Sequence, residues 1–224
     1  MISIDTVYQK VLTFANKEQR GYITPQQFNL FADQAQKEIF EQYFYDLNQY
    51  MRVPGNSEEY SDIIHNINEK IVIFERESSI SNGIIVKDDI YRLGTIIANG
   101  NTIVEEVQQD DILEMMGTPL TEPTASRPVY VRTGLNSAKF YPTFSFTGTC
   151  TYVKKPSKPS WGYVVVNERA MYDSSNKTDF ELHPSEESEL VYKILKFAGL
   201  SMKRDDLAKG GQGLESLQIQ QEKQ

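Results

Sequence analysis

The chain has 224 residues, of which 39% are hydrophobic and 11% aromatic, enough to bury a sizeable core in one domain or two small ones. With 31 acidic against 23 basic residues the formal charge is -8, which argues against wrapping of nucleic acid, because phosphate-backbone binding depends on clustered Lys and Arg. No apolar run reaches the roughly 20 residues of a membrane span, and the start MISIDTVYQK has neither the basic nor the apolar block of a signal peptide, so a cytosolic protein without membrane contact is expected.

Ile4, Val7, Tyr8, Val11, Leu12 and Ala15 recur at helical spacing behind Ser3 and Asp5 and predict a short amphipathic helix. A linker from Asn16 to Tyr22 leads to the clearest helix start in the chain. There Thr24 can cap, Pro25 suits the first helical position and Gln27 completes a capping box. From Pro25 the pattern runs without Gly or Pro to about Leu47, a rod of roughly 35 Å. Its apolar residues include Phe28, Phe31, Ala35, Ile39, Phe40, Tyr43 and Phe44 and cover more than one stripe, so contact with two neighbours is expected, part of it between subunits. Pro54-Gly55-Asn56 reads as a turn, and Ser57 caps a third helix carrying Tyr60, Ile63, Ile64, Ile67 and Ile71.

After Ser81-Asn82-Gly83 the period becomes two. Strand composition marks Ile84 to Val86, Ile90 to Ala98 and Thr102 to Val107, with Asn99-Gly100-Asn101 as a tight turn. Asp110-Asp111 open a helical stretch through Met116, stopped by Gly117, and Leu120 to Pro128 reads as an exposed loop. Further strands are expected at Val129 to Arg132, Lys139 to Tyr141, Thr143 to Lys154 and Gly162 to Val166. A last helix starts at His183-Pro184-Ser185, places Glu186, Glu187 and Glu189 at its positive end, buries Leu190, Val191, Ile194, Leu195 and Ala198, and ends at Gly199. Beyond Met202, Gly210, Gly211 and Gly213 and only sparse anchors, among them Leu214, Leu217 and Ile219, suggest a tail that orders on a partner. The expected fold is therefore α+β: a helical bundle from residues 1–82 and 180–202, an inserted antiparallel β-sandwich or barrel-like domain over 83–179, and a docking tail over 203–224.

Chemistry-bearing motifs are scarce. Cys150 stands alone in a strand-like run and reads as a packing residue. His65 and His183 have no partners at zinc-ligand spacing, and neither a phosphate-cradling glycine loop nor a nucleophile elbow occurs. The pairs Asp88-Asp89, Glu105-Glu106 and Asp110-Asp111 read as solvated turns rather than metal or hydrolase carboxylates, since adjacent residues point apart. Lys154-Lys155-Pro156-Ser157-Lys158 reads as a solvated loop, and Asn176-Lys177-Thr178 as a chance glycosylation triplet. No catalytic residue, metal or cofactor is expected.

Three stretches carry a resemblance: Asn16-Lys17-Glu18-Gln19-Arg20-Gly21-Tyr22-Ile23-Thr24-Pro25; Lys154-Lys155-Pro156 with Trp161-Gly162-Tyr163-Val164-Val165-Val166; and Phe180-Glu181-Leu182-His183-Pro184-Ser185-Glu186-Glu187. Together they resemble virion structural proteins of crAss-like and related short-tailed bacteriophages, ring or adaptor subunits similar in plan to podoviral tail tubular proteins. The resemblance implies a non-enzymatic subunit at the head–tail junction, present in about twelve copies around an axis. Its partners would be further copies of itself, the portal and neighbouring tail or ring proteins, with DNA passing unbound. On this reading Phe28, Phe31, Phe40, Phe44, Leu214, Leu217 and Ile219 are candidates for interfaces. Glu105, Glu106, Asp110 and Asp111 are candidates for an acidic channel lining that repels phosphate. Rival readings are another tail or head-completion protein, or a host-surface hydrolase or carbohydrate-binding module using Trp161 and nearby tyrosines.

Overall fold

The computed structural model describes residues 1–16, 23–52, 58–81, 84–85, 87–98, 102–143, 147–201 and 205–222. The linker at 17–22, the turn and cap at 54–57, and the turns at 82–83 and 99–101 lie outside the described residues. The chain is mixed α+β and divides into two compact units, Met1–Ile73 with Pro156–Gln224, and Phe74–Lys155.

In the first unit α1 (Ile4–Asn16) buries Ile4, Val7, Tyr8, Val11 and Ala15, the residues whose spacing predicted it. The Ile4 N–H donates to Asp179 Oδ1 at 3.0 Å, so the helix start is capped from the far end of the sequence. α2 (Pro25–Met51) has the expected capping box: Gln27 N–H donates to Thr24 Oγ1 and Thr24 N–H to Gln27 Oε1, each at 3.2 Å. α3 (Glu58–Val72) buries Ile67 and Ile71.

The chain re-enters this unit at Pro156 and runs along α1 and α2. Trp161 is buried, its ring 4.4 Å from that of Tyr8; its backbone N–H donates to Asn29 Oδ1 at 2.8 Å and its indole N–H to Asp5 Oδ1 at 2.9 Å. A two-stranded hairpin of β8 (Tyr163–Val166) and β9 (Arg169–Tyr172) follows, turned by Asn167 and Glu168 at φ of 49° and 62°. Consecutive positive φ values match the right-handed twist of a two-residue hairpin.

Two helices complete the unit. A 3-10 turn at Pro184–Glu186 leads into α5 (Glu187–Ser201), and α6 (Asp205–Glu222) packs back on α5. Gly199 does not end α5 as expected. The glycine is buried, and packing offsets its modest helix penalty of about 1 kcal/mol. Nor is the segment after Met202 a tail without structure of its own. Gly211, Glu215 and Ile219 recur every four residues, the first two buried and the third half-buried. A Cβ at Gly211 would stand 2.9 Å from Lys196 N and 3.1 Å from Tyr192 O, so glycine there lets two helix backbones meet.

The second unit is a curled mixed sheet. β1 (Glu75–Ser81), β2 (Ile84–Ile85), β3 (Ile90–Ala98), β4 (Thr102–Glu106), β5 (Val129–Arg132), β6 (Ala138–Tyr141) and β7 (Thr147–Lys154) lie in the order β2-β1-β7-β3-β4-β5-β6. The curl brings the two ends of this order together, since Ile85 N–H donates to Asn136 O at 3.0 Å and Asn136 Nδ2 to Asp88 Oδ1 at 2.8 Å. One face is apolar, with Ile80, Ile85, Ile90, Ile96, Tyr130 and Phe140 among its buried residues. Cys150 lies in this face, where burial pushes its thiol pKa up.

The expected all-antiparallel sheet is corrected at one place. β4 and β5 run parallel, Glu105 opposite Val129 and Glu106 opposite Tyr130. The long connection from Val107 to Pro128, with α4 (Gln109–Met116) inside it, supplies the crossover a parallel pair needs. The unit boundaries also fall elsewhere than at 83 and 179. β1 pairs with β7 along its length and so belongs with the sheet, whereas β8 and β9 lie in the helical unit.

The three glycines of α6 separate packing from propensity. Gly211→Ala should destabilise the protein by about 1–3 kcal/mol through backbone overlap. Nothing lies within 4 Å of a Cβ at Gly210 or Gly213, so alanine there should stabilise by about 0.5–1 kcal/mol each. Denaturant titration of the three variants checks the opposite signs.

Candidate functional site

Most of the aromatic residues expected at an interface are consumed by the chain's own core. Phe28, Phe40 and Phe44 are buried, Phe28 with its ring 4.7 Å from that of Tyr8 and Phe40 edge-on to Phe44 at 5.2 Å. Phe31 is half-buried, with Phe197 at 6.5 Å. A side chain covered by its own fold has no area left for a neighbour, which removes Phe28, Phe40 and Phe44 from an interface, while Phe31 and the exposed Leu30 and Tyr45 of α2 keep surface. Leu214 and Leu217 are exposed on α6, while Ile219 is half-buried.

Other exposed apolar side chains occur outside the residues expected at interfaces. The hairpin leaves Val164, Val165, Val166 and Met171 about half or more exposed. In the β unit, Leu113 and Met116 of α4 and the following Leu120 are exposed, Leu120 to 88%. Clusters of this kind on a folded surface mark contact sites more often than isolated apolar residues do.

The four acidic candidates are all exposed. Glu106 Oε2 accepts from the Tyr130 hydroxyl at 3.0 Å. Burial above all, then the hydrogen bond and charge of Glu106, raise the Tyr130 pKa well beyond the usual phenol range. Asp110 and Asp111 occupy the first turn of α4, where the helix dipole favours acids. Trp161, the candidate sugar platform, is 3% exposed and hydrogen-bonded through its indole N–H, which removes its face from any ligand.

The polar groups with the most constrained geometry lie among the helices. Lys193, Glu189 and Glu215 are all buried. Lys193 Nζ lies 2.6 Å from Glu215 Oε1 and 3.4 Å from Glu189 Oε1, and Lys196 Nζ lies 3.0 Å from Glu215 Oε2. Desolvation works to raise the Glu215 pKa, but the two lysines outweigh it and hold the carboxyl below its ordinary value. Desolvation likewise opposes the charge on Lys193, and Glu215 and Glu189 outweigh it to raise the ammonium above its ordinary value.

Beside this cluster a cavity of about 420 Å³ opens between α2, α3, the 184–186 turn and α6, lined among others by Tyr43, Asp46, Lys70, His183, Glu186 and Ile219. Glu186 is 1% exposed and pairs with Lys70 Nζ at 2.6 Å. His183 caps the turn, its Nδ1 accepting from Ser185 N–H at 3.3 Å with the Ser185 hydroxyl 2.8 Å away; that hydroxyl also lies 3.1 Å from Glu186 Oε1. Serine, histidine and carboxylate are thus adjacent, but the carboxylate touches the hydroxyl instead of the imidazole. A nucleophilic triad needs the histidine in the middle, oriented by the acid and facing the serine through its other nitrogen. The arrangement serves a helix start. Among the described residues no group of three His, Cys, Asp or Glu side chains is placed to hold a metal ion, and no helix is long and apolar enough to cross a membrane.

Sequence reading missed Lys193, Glu189, Glu186 and Glu215 as buried groups. The available signal was Lys193 four residues after Glu189, between Leu190 and Ile194 on an apolar helix face. Comparison of the sequence with protein-family models and with curated proteins gives no match.

The Lys193–Glu215 pair sets a pH window for α6. Glu215 has a lowered native pKa, so its contribution is present above the ordinary 4.5 and is lost as pH falls through the native value. Lys193 has a raised one, so its contribution is complete below the ordinary 10.5 and is lost as pH rises past the native value. Amide exchange in α6 should therefore be slowest relative to α2 between about pH 5 and 10 once intrinsic rates are divided out.

Proposed function

We propose that the chain is a structural subunit of a bacteriophage head–tail connector, forming a ring below the portal through which DNA passes and to which the tail attaches. The reading rests first on the resemblance of the three sequence stretches. The observation that supports it physically is exposed apolar side chains on each of the two units, Val164, Val166 and Met171 on one face of the hairpin and Leu113, Met116 and Leu120 in and after α4. A ring repeats a head-to-tail contact, so each subunit needs two different surfaces that fit one another.

The mixed α+β fold, with one unit drawn from both ends of the chain and a curled sheet between them in sequence, supports a reading as a helical bundle that carries an inserted β-domain. Leu214 and Leu217 on α6 would meet the portal or a neighbouring ring, and the β-domain the next tail component. Glu105, Glu106, Asp110 and Asp111, all exposed, suit a channel wall from which DNA phosphates are repelled. In this role the protein has no catalytic activity, is assembled in the host cytoplasm and resides in the virion.

The mass of the purified protein in solution, alone and mixed with portal, tests the proposal. A closed ring of about twelve copies is expected, either alone or on the portal. Val164→Glu, on the hairpin face shared with Val166 and Met171, should return the subunits to monomers without changing their circular dichroism. A wild-type monomer indifferent to the portal would overturn the reading.

A further inference from the structure

The cavity among the helices holds a carboxylate that the ring assignment does not use. Glu186 Oε1 is engaged by Lys70 Nζ at 2.6 Å and by the Ser185 hydroxyl at 3.1 Å. Its second oxygen, Oε2, is buried and has no hydrogen-bond partner among the described residues. Buried carboxylate oxygens are rarely left without a donor, because desolvation is then uncompensated.

Glu186 is among the residues that line the cavity, and a donor that reached Oε2 from there would satisfy it. At about 420 Å³ the space matches small-molecule sites. Its charge points to the sign of an occupant. Among the described residues that line it, Asp46, Glu69, Glu186 and Glu189 are acidic and Lys70 is basic, with Lys193 beside Glu189. The rest of the wall is apolar or aromatic, with isoleucines from α2, α3 and α6 and the side chains of Tyr43 and Tyr50. Aromatic faces and aliphatic walls favour a cation on a methylene stem over a hydrated ion, and the described residues offer no metal-binding cluster.

We propose that this cavity binds a small aliphatic cation whose ammonium or guanidinium N–H groups donate to Glu186 Oε2 while its methylene stem lies along the isoleucines. The site is independent of ring formation, and its test uses the single chain.

The full-length protein, labelled at isoleucine methyls, is titrated with agmatine, with putrescine and with tetramethylammonium, a monocation without N–H. Saturable shifts at Ile39, Ile63 and Ile67 are expected with agmatine or putrescine and not with tetramethylammonium; since the two share a four-carbon stem and one ammonium, tighter binding of agmatine assigns its guanidinium to the site and tighter binding of putrescine an ammonium. Glu186→Gln should weaken binding about tenfold or more, the value of a hydrogen bond to a charged group. Glu69→Gln, whose parent side chain is 65% exposed, should weaken it a few-fold without touching the fold, and keeps the test decisive if Glu186→Gln does not fold. Absence of shifts up to about 20 mM ligand, equal shifts with tetramethylammonium, or undiminished binding by a folded Glu186→Gln protein would each overturn the proposal.

Discussion

Gln36 is a primary amide with no solvent exposure, in the middle of the longest helix. Burying such a group is tolerable only if its donor and acceptor are both met. Its Nε2 donates to Ser157 O at 2.8 Å and its Oε1 accepts from Glu181 N–H at 3.1 Å. Two points far apart in the returning segment are thereby fixed against one residue of α2, and Glu181 closes the arrangement by accepting from Ser157 N–H at 2.9 Å. Everything between those points hangs from this clasp: Trp161 against Tyr8, Gly162 in a space where a Cβ would meet Asp173 O at 2.6 Å, and the hairpin with its exposed valines. Everything just after it follows too, because Leu182 and the His183 cap deliver Glu186 to its cavity.

The second polar commitment of the helical unit is of another kind. An amide satisfied by backbone groups costs little once formed, whereas buried ions must recover a large desolvation penalty from their mutual attraction. Lys193 meets that condition through two carboxylates, and Glu215 through two ammonium groups. Such clusters add less to stability than their Coulomb energy suggests, but they penalise a helix docked one turn out of register. With Gly211 admitting close approach at one level and Glu215 pairing a turn further on, the seat of α6 is specified twice by different physics.

Local chemistry was legible where it was strong. Thr24, Pro25 and Gln27 start α2 as the capping rules require, and the β-branched runs at Ile90 to Ala98 and Thr102 onward became strands. β1 escaped notice because Glu75 to Ser81 is mostly polar and its inward residues include Ser78, buried though hydrophilic. β9 is short and largely exposed, so no alternation revealed it. The glycines and glutamines of the last segment suggested a chain without structure of its own, since the features that make α6 a docked helix are a partner helix and an ion pair, neither a local property. The same holds for the site: an apolar stripe on α2 cannot tell a neighbour within the chain from one outside it, and the burial of Glu186 depends on groups from three helices and a turn.

The β unit begins and ends at one place. Lys154 N–H donates to Phe74 O at 2.9 Å, and Glu75 lies opposite Val153 at the base of the β1–β7 pair. Folding of the sheet therefore converts a long excursion between the two parts of the helical unit into a short covalent bridge. The entropy of closing a loop grows with its effective length, so a sheet that forms first lets Pro156 and the helices beyond it search for α1 and α2 almost as if they followed α3 directly. A chain written in three pieces is, for its helices, a two-piece folding problem.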